Sequence, residues 1–511
     1  MAGLRRPSAL LVAILALTLG IPWQDALRFV HCKYPSWSAP GTGWLHAQSL
    51  TICNAWPLDG MKGIVQRGQP LLLPGDSIGL PSTHWQAHRR WNDTVYLGEA
   101  LGTIRDVWEH RANHVDHGGD ANEESQRGAK AFLYFSHRGG SFGVRAQPTS
   151  SAHVVQHASM SGGVFVRSAH NHRHDRAVLY SSVGLSSLGE VARADVQPLA
   201  DLQLRSPGTS HTTEAVVWLG AGYPTTHAHY DTNTNLFVQV VGQKQITLWP
   251  PSSLVDELAV YPSRHSLHRQ SPRHSPLEEA PSRAMQVVLV EGDVLYIPPY
   301  FAHHVMSLSK LTVSVAMWTD SAECAKKDAL STLPLPWEGE WSFEERTLAA
   351  TQFIRRVLLD AHEGDPGAAR SALRRLLELR YEPLRKLSLV DQEGLLPGAS
   401  TEIVHDIQGA CGEDTTETRR NLRTQLHAHV GAGARRVADA VRSISTADPR
   451  HQQPRAQHSL PPIAEVSLAD YIEEVAEFVA GSRYGIHAFL SHCVLGGWNR
   501  TSVESSGSPL E

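Results

Sequence analysis

Short apolar stretches bounded by Gly, Pro and Asp residues dominate the chain from about residue 57 to residue 320. Stretches of this length, with alternating or continuous apolar positions, are typical of β-strands in a buried sheet. The expected strands are 71–73, 177–180, 215–220, 235–250 (a hairpin-like run around Gly242), 286–290, 294–298 and 311–318. This part of the chain is therefore predicted to be mainly β.

Three segments of the same region break the strand pattern. Residues 94–111 repeat an apolar residue every three or four positions, which predicts a helix. Residues 113–128 are polar, acidic and glycine-bearing, so we expect a surface loop there. Residues 261–286 are rich in Ser, Pro, Arg and His, which indicates an inserted loop.

The pattern changes after about residue 335, where apolar residues recur at helical spacing between faces rich in Arg and Glu. Joints rich in Pro, Gly and Ser separate the helical segments. The expected helices are 344–362, 366–380, 415–444 and 467–494. Residues 335–511 are therefore predicted to form a mostly helical C-terminal region.

The first 20 residues have the composition of a secretory signal peptide. Arg5 and Arg6 precede an apolar run over residues 8–20, which is too short to span a bilayer comfortably. Residues 21–56 then form a loop-rich lead into the β region. We therefore expect a protein of the secretory pathway, resident in the endoplasmic reticulum lumen or secreted. A signal anchor is the main alternative.

Two further features are compatible with that compartment. The N-x-[ST] acceptors at Asn92 and Asn499 make the protein a candidate glycoprotein. The five cysteines are an odd number, so at least one is unpaired or intermolecular. Cys32 and Cys53 are a plausible disulfide in an oxidising lumen.

The charge balance narrows the choice of partners. The 511 residues carry 46 basic and 51 acidic side chains, a net charge of −5, whereas nucleic-acid-binding domains usually carry a basic face. No apolar stretch of about 20 residues follows the N-terminus, so no membrane span is expected after signal removal. Only eight basic residues are lysines, and a lysine inside an apolar strand needs a specific reason.

Candidate chemistry is concentrated in the segment 221–251, which contains the pair His229 and Asp231. Residues two apart on a strand point to the same face, so an imidazole and a carboxylate can meet at one ion. Two histidines and one carboxylate form the facial triad of non-haem Fe(II) oxygenases, which leaves coordination positions open. His227 shares this face in a regular strand and stays an alternative ligand.

A second segment, 292–305, supplies candidates for the other histidine. It reads GDVLYIPPYFAHHV, with a Gly-Asp turn, a short strand and a Pro-Pro turn before His303 and His304. Adjacent residues on a strand face opposite ways, so only one of these two histidines can join the pair.

Lys244 lies inside the apolar run 238–249. A buried ammonium is costly unless an anion pairs with it. A dicarboxylate such as 2-oxoglutarate would bind a metal at one end and this lysine at the other. The alternative is a lysine that points outward from an edge strand and limits aggregation.

Together these segments resemble the JmjC and cupin-like 2-oxoglutarate oxygenases, especially the subgroup that includes the asparaginyl hydroxylase inhibiting hypoxia-inducible factor. That group shows T-P-x-H-x-D, then Asn, Gln, G-x-K and L-x-P-P, and later a GDVLYIP block. Here the frame reads Thr226, His229, Asp231, Asn235, Gln239, Gly242, Lys244, Leu248, Pro250 and Pro251, followed by Gly292 to His303. The resemblance covers roughly residues 57–320.

The resemblance implies a fold and a site. The fold is a mainly β double-stranded β-helix (jelly-roll or cupin) core with flanking helices and a mostly helical C-terminal region. The site uses Fe(II), with 2-oxoglutarate and dioxygen as co-substrates. Carried over position by position, the metal ligands are His229, Asp231 and His303, and the co-substrate residues are Lys244, Thr226, Tyr180 and Asn235.

Four residues depart from the family pattern. His227 replaces the proline of T-P, Phe301-Ala302 replaces a tryptophan pair, and Ala316 stands where asparagine is frequent. These changes concern the substrate pocket and the polarity around the metal, and they leave the triad intact.

The resemblance favours a 2-oxoglutarate-dependent dioxygenase that hydroxylates a protein or peptide in the secretory pathway. A JmjC-type lysine demethylase is the runner-up, and the signal-like N-terminus argues against it. A non-catalytic cupin-fold binding protein and a cupin with another metal are further alternatives. The C-terminal helices either form a homodimer, as in the related hydroxylases, or cap the β domain.

Overall fold

The computed structural model describes most of the β region and of the helical region. The described residues are 32–33, 48–49, 51–53, 68–73, 90–112, 132–137, 142–146, 153–170, 177–200, 213–263, 268–271, 283–335, 337, 341–382, 406–407, 409–411, 417–444, 460–480, 483–496 and 498. The predicted signal peptide, the predicted loop at 113–128 and the acceptor Asn499 lie outside them.

Seventeen strands form among the described residues. They are β1 (Cys32–Lys33), β2 (Gln48–Ser49), β3 (Thr51–Cys53), β4 (Leu71–Leu73), β5 (Thr103–Ala112), β6 (Phe132–His137), β7 (Phe142–Ala146), β8 (His153–Ser161), β9 (Ala177–Gly184), β10 (Thr213–Ala221), β11 (Thr225–Tyr230), β12 (Thr234–Val241), β13 (Lys244–Trp249), β14 (Met285–Leu289), β15 (Val294–Ile297), β16 (Ala302–Ser307) and β17 (Leu311–Thr319).

Helices flank these strands and fill the C-terminal region. They are α1 (Thr94–Ala100), α2 (Gly162–His170), α3 (Glu190–Ala200), α4 (Ser253–Asp256), α5 (Ala322–Ser331), α6 (Phe343–Ala361), α7 (Pro366–Arg380), α8 (Glu417–Ser443), α9 (Pro462–Ala480) and α10 (Arg483–Ala488). A π-helical segment, Phe489–Leu495, continues from α10. No described helix combines the length and the apolar character needed to cross a membrane.

The strands form two mostly antiparallel sheets. The larger has the order β1-β3-β4-β15-β12-β17-β10-β9-β5-β8, and the smaller has the order β2-β14-β13-β16-β11-β6-β7. From β10 onward consecutive strands alternate between the sheets, except that β13 and β14 are neighbours in the smaller sheet. This is the winding of a double-stranded β-helix. The predicted cupin (jelly-roll) core with flanking and C-terminal helices is confirmed.

Alternating side chains on the larger sheet serve two apolar cores. On β12, Phe237 points between the sheets, where it joins Tyr180, Ile246 and Leu248. Its neighbours in sequence point outward into a second core that helices α1 to α3 cover. Both faces of this sheet are therefore covered, which explains why β12 is buried at every position.

The predicted hairpin around Gly242 is wrong, because its two halves lie in different sheets. β12 pairs with β15 and β17, whereas β13 pairs with β14 and β16. Gly242 makes the crossing with φ of 70°, and a Cβ there would lie 2.4 Å from the Leu311 carbonyl oxygen. The short linker must cross between layers, so a glycine is required.

The predicted helix over 94–111 is correct only for its first turns. α1 ends at Ala100, Gly102 has φ of 61°, and the chain continues as β5, which pairs with β8 and β9. The apolar spacing of 94–111 suits either structure over so short a distance, and the neighbouring strands decide between them.

The predicted inserted loop at 261–286 is partly ordered against the β core. Gln270 forms a bridge with His229, and the Tyr230 and Ser271 amides donate to the carbonyls of Arg269 and Ala228. The following strand β14 already begins at Met285. Residues 268–271 therefore run beside β11, which the loop-like composition did not reveal.

The predicted C-terminal helices form, with one difference. The expected helix 467–494 starts earlier, at Pro462, and comprises α9, α10 and the π-helical segment. These helices share one apolar core with the end of the β domain, because Tyr230, Trp249 and Tyr300 pack among them.

The structure pairs two cysteines that the sequence did not connect. Cys411 and Cys493 form a disulfide with their Cα atoms 5.2 Å apart, and Cys324 is a buried free thiol. The backbone of Cys32 lies opposite that of Cys53 on β1 and β3. That register is compatible with the predicted Cys32–Cys53 disulfide, which stays a prediction.

Candidate active site

The predicted triad is assembled by two neighbouring strands of the smaller sheet. The antiparallel pairing of β11 and β16 places His229 directly opposite His303, and Asp231 follows the end of β11. One potential ligand atom of each residue lies within 4.8 Å of the others, an arrangement that can hold a metal ion. Both histidines are buried, while the Asp231 side chain retains 28% exposure.

Backbone carbonyls fix the orientation of both imidazoles. His229 Nδ1 lies 2.8 Å from the His227 carbonyl oxygen, and His303 Nδ1 lies 3.1 Å from that of Phe301. A carbonyl oxygen only accepts, so each Nδ1 carries the proton and donates it. Each Nε2 therefore keeps its lone pair, which is the form of histidine that binds a metal.

The electrostatics of the group favour a neutral His303 beside a charged Asp231. Burial, together with the neighbouring His229, lowers the pKa of His303 to about 4. Burial alone would raise the pKa of Asp231, but His229, His303 and Arg269 lower it below its usual value. At neutral pH His303 is therefore a neutral imidazole beside the charged carboxylate of Asp231, and protons do not compete with a metal for these two groups.

The structure excludes the two competing histidines from this group. His304 lies opposite Thr247 on the other face of β16, next to His303 in sequence. The register of β11 against β16 shifts between Thr226 and His229, so the regular alternation that placed His227 with them is interrupted. Among the described residues, His229, Asp231 and His303 are the three that converge.

Lys244 lies inside the β core, as one of the two sequence interpretations predicted. It is 1% exposed and shares its face of β13 with Ile246 and Leu248. Its Nζ lies 5.4 Å from the centroid of the Phe237 ring, and no ion pair joins it to any described carboxylate. Burial lowers the pKa of Lys244 to about 7. The burial of Lys244 excludes the alternative in which this lysine points outward from an edge strand.

The remaining predicted residues line the same interior. Tyr180 and Thr226 are buried, with their hydroxyl oxygens 3.5 Å apart. Asn235 lies opposite Trp318 across the β12–β17 pairing, and its buried Oδ1 has no hydrogen-bond partner in the part of the chain that the structure describes. An unsatisfied buried amide is costly, so this position suits a ligand that supplies the missing partner.

Two contacts of Asp231 were not anticipated. The Trp318 indole donates to Asp231 Oδ2 at 3.1 Å, and the Tyr300 amide donates to the Asp231 carbonyl at 2.7 Å. Both hydrogen bonds hold Asp231 in place just beyond the end of β11. Each partner is distant in sequence, and only the strand register brings it close.

The choice between adjacent histidines can be tested by cobalt binding. We expect His303→Ala to lose the Co(II) absorption bands of the wild type, because one of three ligands is removed. His304→Ala is the matched control and should retain Co(II) affinity within a few-fold. Equal loss in both variants, or loss only in His304→Ala, would contradict the assignment.

Lys244→Met should raise the melting temperature of the ligand-free protein at neutral pH, because it removes an unpaired buried ammonium. The folded pKa of about 7 lies below the ordinary 10.5. Between these values the unfolded wild type holds a proton that the folded state releases, so wild-type stability rises with pH. The advantage of Lys244→Met should therefore shrink from pH 7 to pH 10.

Calorimetric scans across this pH range make the measurement, with Lys310→Met at a partly exposed turn as control. The control should show no comparable trend. A lower melting temperature for Lys244→Met at pH 7 would show that the lysine already has a stabilising partner.

Comparison with known proteins identifies the family. The model of the family described as "Cupin-like domain" matches residues 58–323, which is more than half of the chain. Lysine-specific demethylase JMJ30 of Arabidopsis thaliana is 36% identical over 107 residues, covering 20% of this chain and 24% of that protein. Jumonji C domain-containing protein 5 of Drosophila melanogaster is 24% identical over 259 residues, covering 50% and 55%.

Among solved structures, the ribosomal oxygenase YcfD from Escherichia coli in complex with cobalt and 2-oxoglutarate aligns with a TM-score of 0.25 and 13% identity, covering 52% of this chain and 51% of that one. The chain spans about a quarter to about half of the length of these curated relatives. The asparaginyl hydroxylase subgroup is not confirmed and stays a prediction. The matched region contains the whole triad and Lys244, and the chain belongs to the cupin-like domain family.

Proposed function

We propose that the protein is an Fe(II)- and 2-oxoglutarate-dependent dioxygenase. The observation that carries the proposal is the combination, in one β core, of a His-Asp-His group with a buried lysine that pairs with no carboxylate among the described residues. The donor set is that of non-haem iron oxygenases, which keep coordination positions free for other ligands. A buried cation facing the same interior is the complement of a dicarboxylate that is anchored at both ends.

The residues present fit this metal and co-substrate. His229, Asp231 and His303 would hold Fe(II) through two Nε2 atoms and a carboxylate oxygen. Bound iron, with 2-oxoglutarate and dioxygen, supplies the oxidising power for insertion of oxygen into a C–H bond. The protein's own contribution is to hold these groups in place and to exclude water.

Lys244 would pair with the distal carboxylate of 2-oxoglutarate. In the ligand-free protein the lysine has an aromatic ring as its neighbour, and its lowered pKa reflects that apolar setting. A carboxylate beside it would favour the ammonium form and offset the cost of burial. The hydroxyls of Thr226 and Tyr180 would donate further hydrogen bonds, and the Asn235 amide would take part near the iron.

A protein or peptide hydroxylase of the secretory pathway is the form of this activity that we favour. The signal-like N-terminus supports the compartment, and no sequence feature of a chromatin reader accompanies it. The names of some relatives, which include lysine-specific demethylases, favour a demethylase as the second candidate. Both reactions use the same oxidising chemistry and differ in the carbon that is hydroxylated.

A non-catalytic binding protein is the weaker alternative. It would have no need to keep both Nε2 atoms directed at one point by carbonyl contacts to each Nδ1. Nor would it need an unpaired lysine inside the core, where an apolar residue of similar size would be more stable.

The activity is tested by succinate formation from 2-oxoglutarate with purified protein, Fe(II) and ascorbate. The wild type should release succinate, slowly alone and faster with a peptide substrate. In His229→Ala and Asp231→Ala the rate of succinate release should fall at least about 100-fold, because the metal is no longer held. His304→Ala is the matched control and should keep most of it.

Absence of turnover in the wild type, or unchanged turnover in both ligand variants, would overturn the proposal. Mass analysis of the peptide product separates the two forms of the activity. Stable addition of one oxygen atom supports the hydroxylase, whereas loss of a methyl group with release of formaldehyde supports the demethylase.

A further inference from the structure

We propose that helix α9 is a positioning element for the metal site, and that Ser467 and Asp470 hold the chain segments carrying the triad. The inference rests on the proposed function, since it concerns the same site. It assigns a role to the C-terminal helical region, which the sequence predicted only as a cap or a dimerisation element.

Three polar residues of α9, spaced three positions apart, lie on one face of the helix and reach the β domain. The Tyr300 hydroxyl lies 3.0 Å from Ser467 Oγ, and the Tyr230 hydroxyl donates to the Asp470 carboxylate at 3.4 Å. The Ser263 amide donates to Glu473 Oε2 at 2.7 Å. All three helix residues are at most 2% exposed, so water does not compete for these contacts.

Two of these three contacts on the β domain, Tyr230 and Tyr300, are close to the triad in sequence. Tyr230 stands between His229 and Asp231, so its side chain points to the opposite face of β11, toward the helices. Tyr300 lies three residues before His303, and its amide donates to the Asp231 carbonyl. The two tyrosine rings stack, with centroids 5.7 Å apart and planes inclined by 19°.

The conformation of Tyr300 shows why an anchor is needed. Its φ of 62° lies in the left-handed region, where a non-glycine residue is strained. Surrounding contacts must hold such a residue in place. In this chain they are the stacking on Tyr230 and the hydrogen bond to Ser467.

Charge holds the face of α9 against a second helix. Arg380 of α7 donates to Asp470 at 2.8 Å and to Glu473 at 2.7 Å, and all three side chains are buried. Arg269, whose guanidinium carbon lies 6.0 Å from the Tyr230 ring centroid, adds a cation on the β-domain side. The charged network fixes the rotamers of the carboxylates that contact the β domain.

Small displacements at this point matter, because metal ligands must be held within about 0.5 Å of their productive positions. Loss of a group that supports metal ligands typically weakens metal affinity about 10- to 100-fold. A helix that only packs against the β domain would change stability without changing metal affinity.

The chain offers a matched control for that distinction. Glu465 is on the same helix, and its carboxylate pairs with Arg375 of α7 rather than with Arg380. Glu465→Gln therefore removes a charge from α9 and a pair with α7, as Asp470→Asn does, at a site away from Tyr230 and Tyr300.

The experiment measures Co(II) affinity of the full-length protein by titration, without turnover, together with the melting temperature. Ser467→Ala and Asp470→Asn should weaken Co(II) binding about 10-fold or more, whereas Glu465→Gln should leave it within about two-fold. Equal Co(II) affinity in all variants, or equal weakening in Glu465→Gln and Asp470→Asn, would overturn the inference.

A double-mutant cycle supplies the second measurement and uses variants that lose only a hydroxyl. Tyr300→Phe and Ser467→Ala should each weaken Co(II) affinity, and the double variant should be about as weak as either single one, because both remove one contact. Additive losses, or no loss, would contradict the role of this pair. Failure of the wild type to bind Co(II) would instead count against the proposed function.

Discussion

The antiparallel pairing of β11 with β16 is the constraint on which the site depends. It places His229 opposite His303, and it lets Asp231 complete the group directly after β11. A shift of this register by one residue would turn the histidines to opposite faces and exchange His303 for His304. The burial of the flanking positions, on the inner face against Phe301 and on the outer face among the C-terminal helices, holds the register.

Lys244 indicates which class of co-substrate the site binds. A buried amine without an anion destabilises the folded chain, and an apolar side chain would serve the core better. Lys244 lies between the sheets, in the same interior as Tyr180, Thr226 and Asn235. A dicarboxylate bound there would pair with the lysine and offset the cost of burying it. Lys244 thus lowers the stability of the folded chain and raises its affinity for one class of co-substrate, as residues of functional sites commonly do.

The sequence predicted the His229–Asp231 pair, the lysine and the mixed architecture because each leaves a local signal: an H-x-D pair, a polar residue in an apolar run, a change of apolar period. The choice of His229 and His303 over His227 and His304 was implied by the family resemblance. Prediction failed where the outcome depends on contacts distant in sequence. The run around Gly242 looks like a hairpin, yet each half finds its partners in a different sheet. Residues 268–271 have a loop composition, yet they lie beside β11. The links from Tyr230 and Tyr300 to α9 join positions separated by 240 and 167 residues.

The central claim is that the triad and Lys244 together bind the two ends of one small dicarboxylate. Calorimetric titration of 2-oxoglutarate into the protein loaded with Mn(II) tests it most directly, with pyruvate as the analogue that lacks the distal carboxylate. If the metal and Lys244 each bind one end, 2-oxoglutarate should bind in the micromolar range, and this binding should disappear when the metal is removed. Pyruvate should bind at least about 100-fold more weakly, which is the value of one buried ion pair. Equal affinity for the two keto acids, or binding of 2-oxoglutarate that is independent of the metal, would contradict this claim.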